Sequence, residues 1–250
     1  MNSVIIILIV AAVGIAFFIG YYFSTKAVIK RKLKKSEFKK IADFKNGEVA
    51  KIVGAVEFVG KPLYSPLSNR ECAHYYVHIE EEVSSGKSSK WETLIEEEIS
   101  SKFLIKEEDH FAIINDSKLK SYIVQDVKFS SGFWTDATEN LEAYLKSKGE
   151  ESEGFLGMNR TLRYKEGVLE RGEKIAVLGR GEWKEPGQLD LPEKYEKVLE
   201  IKSSSEEAIY LSDDPDTTLK NIAKVKREES SRKEVQKETH KESRRGRYQK

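Results

Sequence analysis

The chain has 250 residues, 43 of them basic and 42 acidic, for a formal net charge of +1. Its length leaves room for one sizeable domain or two small ones, and the lone Cys72 excludes an intrachain disulfide. The balanced total hides a segregation: residues 26–40 carry eight basic side chains against one acid, residues 220–250 carry twelve against five, and the remainder is strongly acidic.

The first expected element is a helix over Val4 to Phe23, a run without a charged side chain and long enough to cross a hydrocarbon core of roughly 30 Å. Residues 1–25 are therefore expected to be a transmembrane helix, with Tyr21 and Tyr22 at headgroup level. Ala12, Ala16 and Gly20 recur every four residues and are the candidate face for association within the bilayer, which would make a homo-oligomer. The cations that follow the run place the N-terminus outside and the C-terminal body in the cytoplasm. Residues 26–46 read as a basic juxtamembrane stalk, in which Lys30, Arg31, Lys32, Lys34 and Lys35 are candidate contacts for lipid headgroups. Leu33, Ile41 and Phe44 suit a short helix there, which Asn46-Gly47 ends.

A β domain is expected over residues 47–219, in two halves, 47–135 and 155–219. Val49 to Val59 is β-branched and aromatic, with a bulge or close backbone approach at Gly54. Pro62 and Pro66 make Leu63 to Asn69 an extended, turning loop. From Cys72 to Val83 the side chains alternate, with Ala73, Tyr75, Val77 and Ile79 on one face and Cys72, His74, Tyr76 and His78 on the other. After a Ser- and Gly-rich turn the next strand starts at Trp91, and the glutamates of 80–82 and 96–98 read as solvated strand ends. Further strands at Phe103–Ile105, Phe111–Ile114 and Tyr122–Phe129 are joined by connections too short for crossover helices, so an antiparallel meander is expected. Thr138 then caps a short helix that ends at Gly149. Strands return at Leu162–Leu169, with a tight spot at Glu166-Gly167, and at Lys174–Leu178. Gly179 and Gly181 read as turn glycines, because no Gly-Lys-Ser/Thr follows to make a phosphate loop. Val198–Ile201 and Ala208–Leu211 close the domain, Asp213 to Asp216 with Pro215 start a helix through Leu219, Ile222 and Val225, and residues 220–250 form a basic, helical-to-disordered tail. The expected class is thus mainly β with a few short helices behind the N-terminal span.

The order Pro62-Leu63-x-Ser65-Pro66-Leu67-Ser68-x-Arg70-Glu71-Cys72, then Arg163-Tyr164-x-Glu166-x-x-Leu169-x-x-Gly172-Glu173, then Ile209-Tyr210-Leu211-Ser212, resembles the GIDE, or "beside a membrane", domain. The resemblance covers about Val49 to Leu219. It implies kinship with the membrane-anchored ubiquitin ligases of mitochondria and chloroplasts, in which a zinc-binding RING carries the enzymatic function and the GIDE domain is non-catalytic. This chain has no Cys-x-x-Cys and too few cysteines and histidines for a RING.

Other chemistry is thin. His74 and His78 are four apart on a strand, about 13 Å at strand rise, too far to share a metal. Ser65, Ser68 and His74 could make a hydrolase constellation only without a nucleophile elbow. No catalytic, cofactor-binding or metal-binding residue is assigned. The function expected is a non-catalytic binding or scaffolding module with the lipid bilayer and another protein as partners and no nucleic acid. The alternatives are a ubiquitin-transfer component working with a separate RING-bearing partner and a serine hydrolase. Ser65, Pro66, Leu67, Ser68 and Arg70 are the candidate partner-binding residues, because loops held by a rigid sheet commonly carry recognition.

Overall fold

The computed structural model describes residues 13, 20–86, 88–116, 118–131, 138–152, 160–205 and 208–219. They are mainly β, with thirteen strands and three short α-helices.

A five-stranded barrel is the centre of the fold. Its strands are β1 (Val49–Phe58), β6 (Phe103–Glu107), β7 (His110–Ile114), β12 (Val198–Lys202) and β11 (Lys174–Lys184), and β11 closes on β1 along Val49–Ala55. Alternation puts Ile52, Val56, Ile105, Ala112, Ile175, Val177, Leu199 and Ile201 inside, where they form one apolar cluster. β1 reads as a nearly continuous apolar run because its outer face is covered as well. β11 outruns its partners: its first half also pairs with β13 (Ile209–Ser212), which in turn carries β8 (Leu119–Tyr122).

The meander expectation fails at two places. β7 and β12 pair in parallel, and so do β8 and β13. Short connections constrain only consecutive strands, and these pairs form when the chain returns to the barrel much later. The two expected halves interleave in the same way, since strands of both build the barrel. The expected strand Tyr122–Phe129 is broken into β8 and β9 (Val127–Ser131). Between them Val124 turns its N–H to the Asp213 carboxylate at 2.8 Å. Gly179 and Gly181 are also not turn residues; they lie within β11. A Cβ on Gly181 would sit 2.5 Å from the Phe44 ring, and one on Gly179 2.5 Å from Ile201 Cγ2.

A second, antiparallel sheet has the order β5 (Ser88–Ser100), β4 (His74–Ser85), β10 (Leu162–Leu169), β9. One face packs Tyr75, Val77, Ile79, Leu162 and Tyr164 against Leu141, Tyr144 and Leu145 of α2 (Glu139–Ser147). Thr138 caps α2, its hydroxyl accepting from Leu141 N at 3.3 Å. A two-residue ribbon, β2 (Leu63–Tyr64) with β3 (Glu71–Cys72), borders this sheet.

Helix α1 (Thr25–Lys35) docks on the outside of the barrel. Ile29 and Leu33, one turn apart, are fully buried against Val53, Ala176, Leu178 and Tyr210. Each such side chain contributes roughly 1.5–3 kcal/mol. The segment read as a stalk is therefore part of the folded body.

The single-pass topology is corrected here. Among the described residues no helix is long and apolar enough to cross a membrane. A span needs about 20 apolar residues, whereas α1 has 11, six of them lysine or arginine. Residues 20–22 are helical, but the chain turns at Phe23 and Ser24 before α1 begins. Residues 4–12 and 14–19 of the Val4–Phe23 run lie outside the described residues, Ala12 and Ala16 among them. Gly20 has nothing within 4 Å of where its Cβ would lie.

Candidate functional site

The Ser65-Pro66-Leu67-Ser68 loop is built inward. Ser65 is 1% exposed and Leu67 8%. Glu166, fully buried on β10, accepts Leu67 N at 2.8 Å, Ser68 N at 3.1 Å and the Ser68 hydroxyl. Ser65 Oγ lies 2.8 Å from Ser68 Oγ and accepts Arg70 N at 3.1 Å, and Asn140 of α2 holds the Leu67 carbonyl at 3.0 Å. Arg70 donates to Ser68 Oγ at 3.1 Å and reaches Asp126 at 2.9 Å. Pro66 sits in this turn. These groups are occupied in tying the loop to β10 and α2, so their chemistry is that of a structural clasp. His74 engages Glu98 instead of either serine, and the imagined hydrolase set does not assemble. Cys72 is fully buried, and burial first, then the Glu166 charge, pushes its thiol up to about 11.

Lys30, Arg31, Lys32 and Lys34 of α1 also have internal partners. Lys30 Nζ lies 2.7 Å from Asp214 and 3.4 Å from Asp216, both beside α3 (Pro215–Thr218) or in it, and Lys34 reaches Asp216 at 2.8 Å. Arg31 donates to the Tyr22 carbonyl at 2.6 Å and stacks over that ring. Lys32 lies over Tyr210. Lys32, Lys34 and Lys35 fall in the last turn, where the helix dipole favours cations.

Two features remain that face outward. The first is β5, a 13-residue strand that pairs only with β4 among the described strands and is exposed over most of its length. A register shift opposite Ile79 and Glu80 makes Leu94 a bulge residue. Beyond it Ile95, Glu97 and Ile99 share the α2 face, while Glu96 and Glu98 share the opposite one. Glu97 accepts from Tyr75 at 3.2 Å, from Tyr144 at 2.7 Å and from Lys148. Trp91, 36% exposed, stands near the strand's outer end with the Arg163 guanidinium 4.3 Å from its ring.

The second is a cavity of about 340 Å³ at the seam where the second sheet, β8 and the start of α1 meet. Tyr76 of β4, Glu96 and Glu98 of β5, Ser121 and Tyr122 of β8, Gln125, Thr25 and Lys26 line it. Tyr76 donates to Glu96 at 2.8 Å, and burial, then this bond, raises its pKa. Glu98 accepts from the Ser121 hydroxyl, and His74 Nε2 lies 2.8 Å away. Burial alone would raise the Glu98 carboxyl, but these two donors outweigh it and hold the group below its ordinary value. His74 is 1% exposed, and among the described residues its Nδ1 has no hydrogen-bond partner and its Nε2 has only the Glu98 contact. Lys26 places its ammonium 4.5 Å from the Tyr122 ring centroid.

A wider groove of about 770 Å³ runs beside Trp183, His110, Glu185 and Glu196. There the indole N–H is already given to Phe44 O at 2.8 Å. Among the described residues no group of three or more His, Cys, Asp or Glu side chains is arranged to hold a metal ion.

Reading Glu96–Glu98 as solvated ends missed the seam. Its one sequence signal was the alternation of His74, Tyr76 and His78, a polar, aromatic face on a strand whose other face is apolar. Comparison with family models, with curated proteins and with solved structures finds no match for this chain.

Proposed function

We propose that this chain is a non-catalytic recognition module of GIDE type, a β scaffold that holds an extended segment of another protein along the free edge of β5. The observation that carries this reading is the strand itself: 13 residues, paired on one side only among the described strands, and exposed at most of its positions. Strand addition to such an edge supplies main-chain hydrogen bonds for affinity and alternate side chains for selectivity. The charges on the strand and its bulge at Leu94 are devices that keep an edge from pairing indiscriminately. They leave pairing to a segment with complementary charge.

The test is site-directed photocrosslinking in the full chain. A photoreactive phenylalanine analogue at Glu92, on the β5 edge, should join one discrete protein, and the same analogue at Lys197, on the barrel, should not. Equal labelling from both positions, or labelling only from Lys197, would remove β5 as the recognition surface.

A further inference from the structure

The geometry points to the seam cavity as a pocket for the lysine or arginine side chain of a segment added to β5. This rests on the strand-addition reading and names the chemistry of the partner. Four observations converge on it.

Glu96 and Glu98 belong to the edge strand and turn the same face into the cavity, so a strand laid beside β5 would present alternate side chains on that face. Tyr76 and Tyr122 supply two phenol rings to the same space, and carboxylates with aromatic faces are the donor set that selects a desolvated cation. Behind Glu98, His74 is a nearly fully buried polar ring, aimed at the carboxylate, whose Nδ1 has no hydrogen-bond partner among the described residues.

The fourth is Lys26. It lies in the first turn of α1, where the helix dipole disfavours a cation, and that turn contains no acidic side chain to offset it. Its ammonium nonetheless lies over Tyr122 at the mouth of the cavity. The chain already lodges one cation of its own there, and an incoming cation competes with it.

The experiment titrates the full chain with a blocked nine-residue peptide of alternating threonine and valine carrying a central lysine. Its counterparts carry norleucine at the centre, or N-methyl groups on the backbone amides that would pair, and n-butylamine serves as the free cation. The lysine peptide should bind at least tenfold more tightly than the norleucine peptide. Glu96→Gln with Glu98→Gln should abolish that preference. Because Glu98 also anchors Ser121, Lys26→Met gives an independent reading and should tighten the lysine peptide several-fold by removing the competitor.

Equal binding of lysine and norleucine peptides, or a Lys26→Met chain that binds no more tightly, would overturn the pocket. Butylamine binding as well as the peptide would make it a free-amine site and overturn the assignment to a peptide side chain. Loss of binding on N-methylation supports both readings. If N-methylation has no effect while the lysine preference persists, strand addition fails and the cation pocket stands.

Discussion

Replacing Glu166 by glutamine tests whether the Ser65–Arg70 loop is a clasp or a recognition loop. The carboxylate accepts two backbone N–H groups and one hydroxyl in a site closed to solvent. Glutamine keeps one oxygen, enough for Leu67 N, and turns an NH2 toward Ser68. The Ser68 hydroxyl can reverse, accepting from that NH2 and giving its proton to Ser65 Oγ, but the Ser68 backbone N–H can only donate. The Ser68 backbone N–H is then left without an acceptor. One unmade buried bond costs about 1–3 kcal/mol, and turning a charged acceptor into a neutral one about 1 kcal/mol more, so a loss of roughly 2–4 kcal/mol is expected. For a domain of this size that lowers the melting temperature by about 5–15 °C. Urea and thermal unfolding of Glu166→Gln against Glu193→Gln, an exposed control before β12, would measure it. A Glu166→Gln chain within about 1 kcal/mol of the parent would refute the clasp.

Two further predictions concern buried charges. Burial, then the Glu173 and Asp126 charges, push the Asp213 carboxyl up to about 7 against the opposing Val124 N–H. The folded state therefore holds the proton more tightly than the unfolded one, and stability falls as pH rises from the ordinary carboxylate value toward about 7. Asp213→Asn, which keeps an acceptor for Val124, should flatten that slope and stabilise the chain by roughly 1–3 kcal/mol at about pH 8; urea midpoints at about pH 5 and about pH 8 decide it. Lys51 is 2% exposed and gives its ammonium one carbonyl, Thr217 O at 3.2 Å, so burial lowers its pKa from 10.5. The unfolded chain then binds more protons just below that value, and stability should rise with pH there. Lys51→Met should remove the rise and add roughly 1 kcal/mol at neutral pH. A slope that survives the substitution would place the titration elsewhere.

What the sequence made legible were features whose causes are local. β1 follows from its run of β-branched and aromatic residues, β10 from the alternation of Leu162 and Tyr164 with Arg163 and Lys165, and α2 from Thr138 and the apolar positions three and four apart. What it concealed depended on partners far along the chain. Tyr122–Phe129 is apolar enough for one strand, and only Asp213, at the end of β13, shows why it breaks at Val124. Gly181 looks like a turn residue until the Phe44 ring is seen against it. The lysines of α1 suggested an external anion, whereas Asp214 and Asp216 lie on the barrel's own surface. The seam escaped for the same reason, being assembled from β4, β5, β8 and α1, none of which holds enough of it to be recognised alone.

Barrel closure has a consequence for how the chain is made. β1 is synthesised first among the strands, yet the partner that completes it, β11, begins over a hundred residues later. Until the ribosome has released that segment, the open side of β1 presents unpaired amides and carbonyls, with Ile52 and Val56 uncovered beside them. Pairings of such long sequence separation close slowly, because the loop entropy must be overcome before the contacts form. A chain stopped after α2 would contain β1 through β9 and still lack β11 and β12, which close the barrel, and β10, which joins β4 to β9, so neither barrel nor second sheet is complete until these late strands are made.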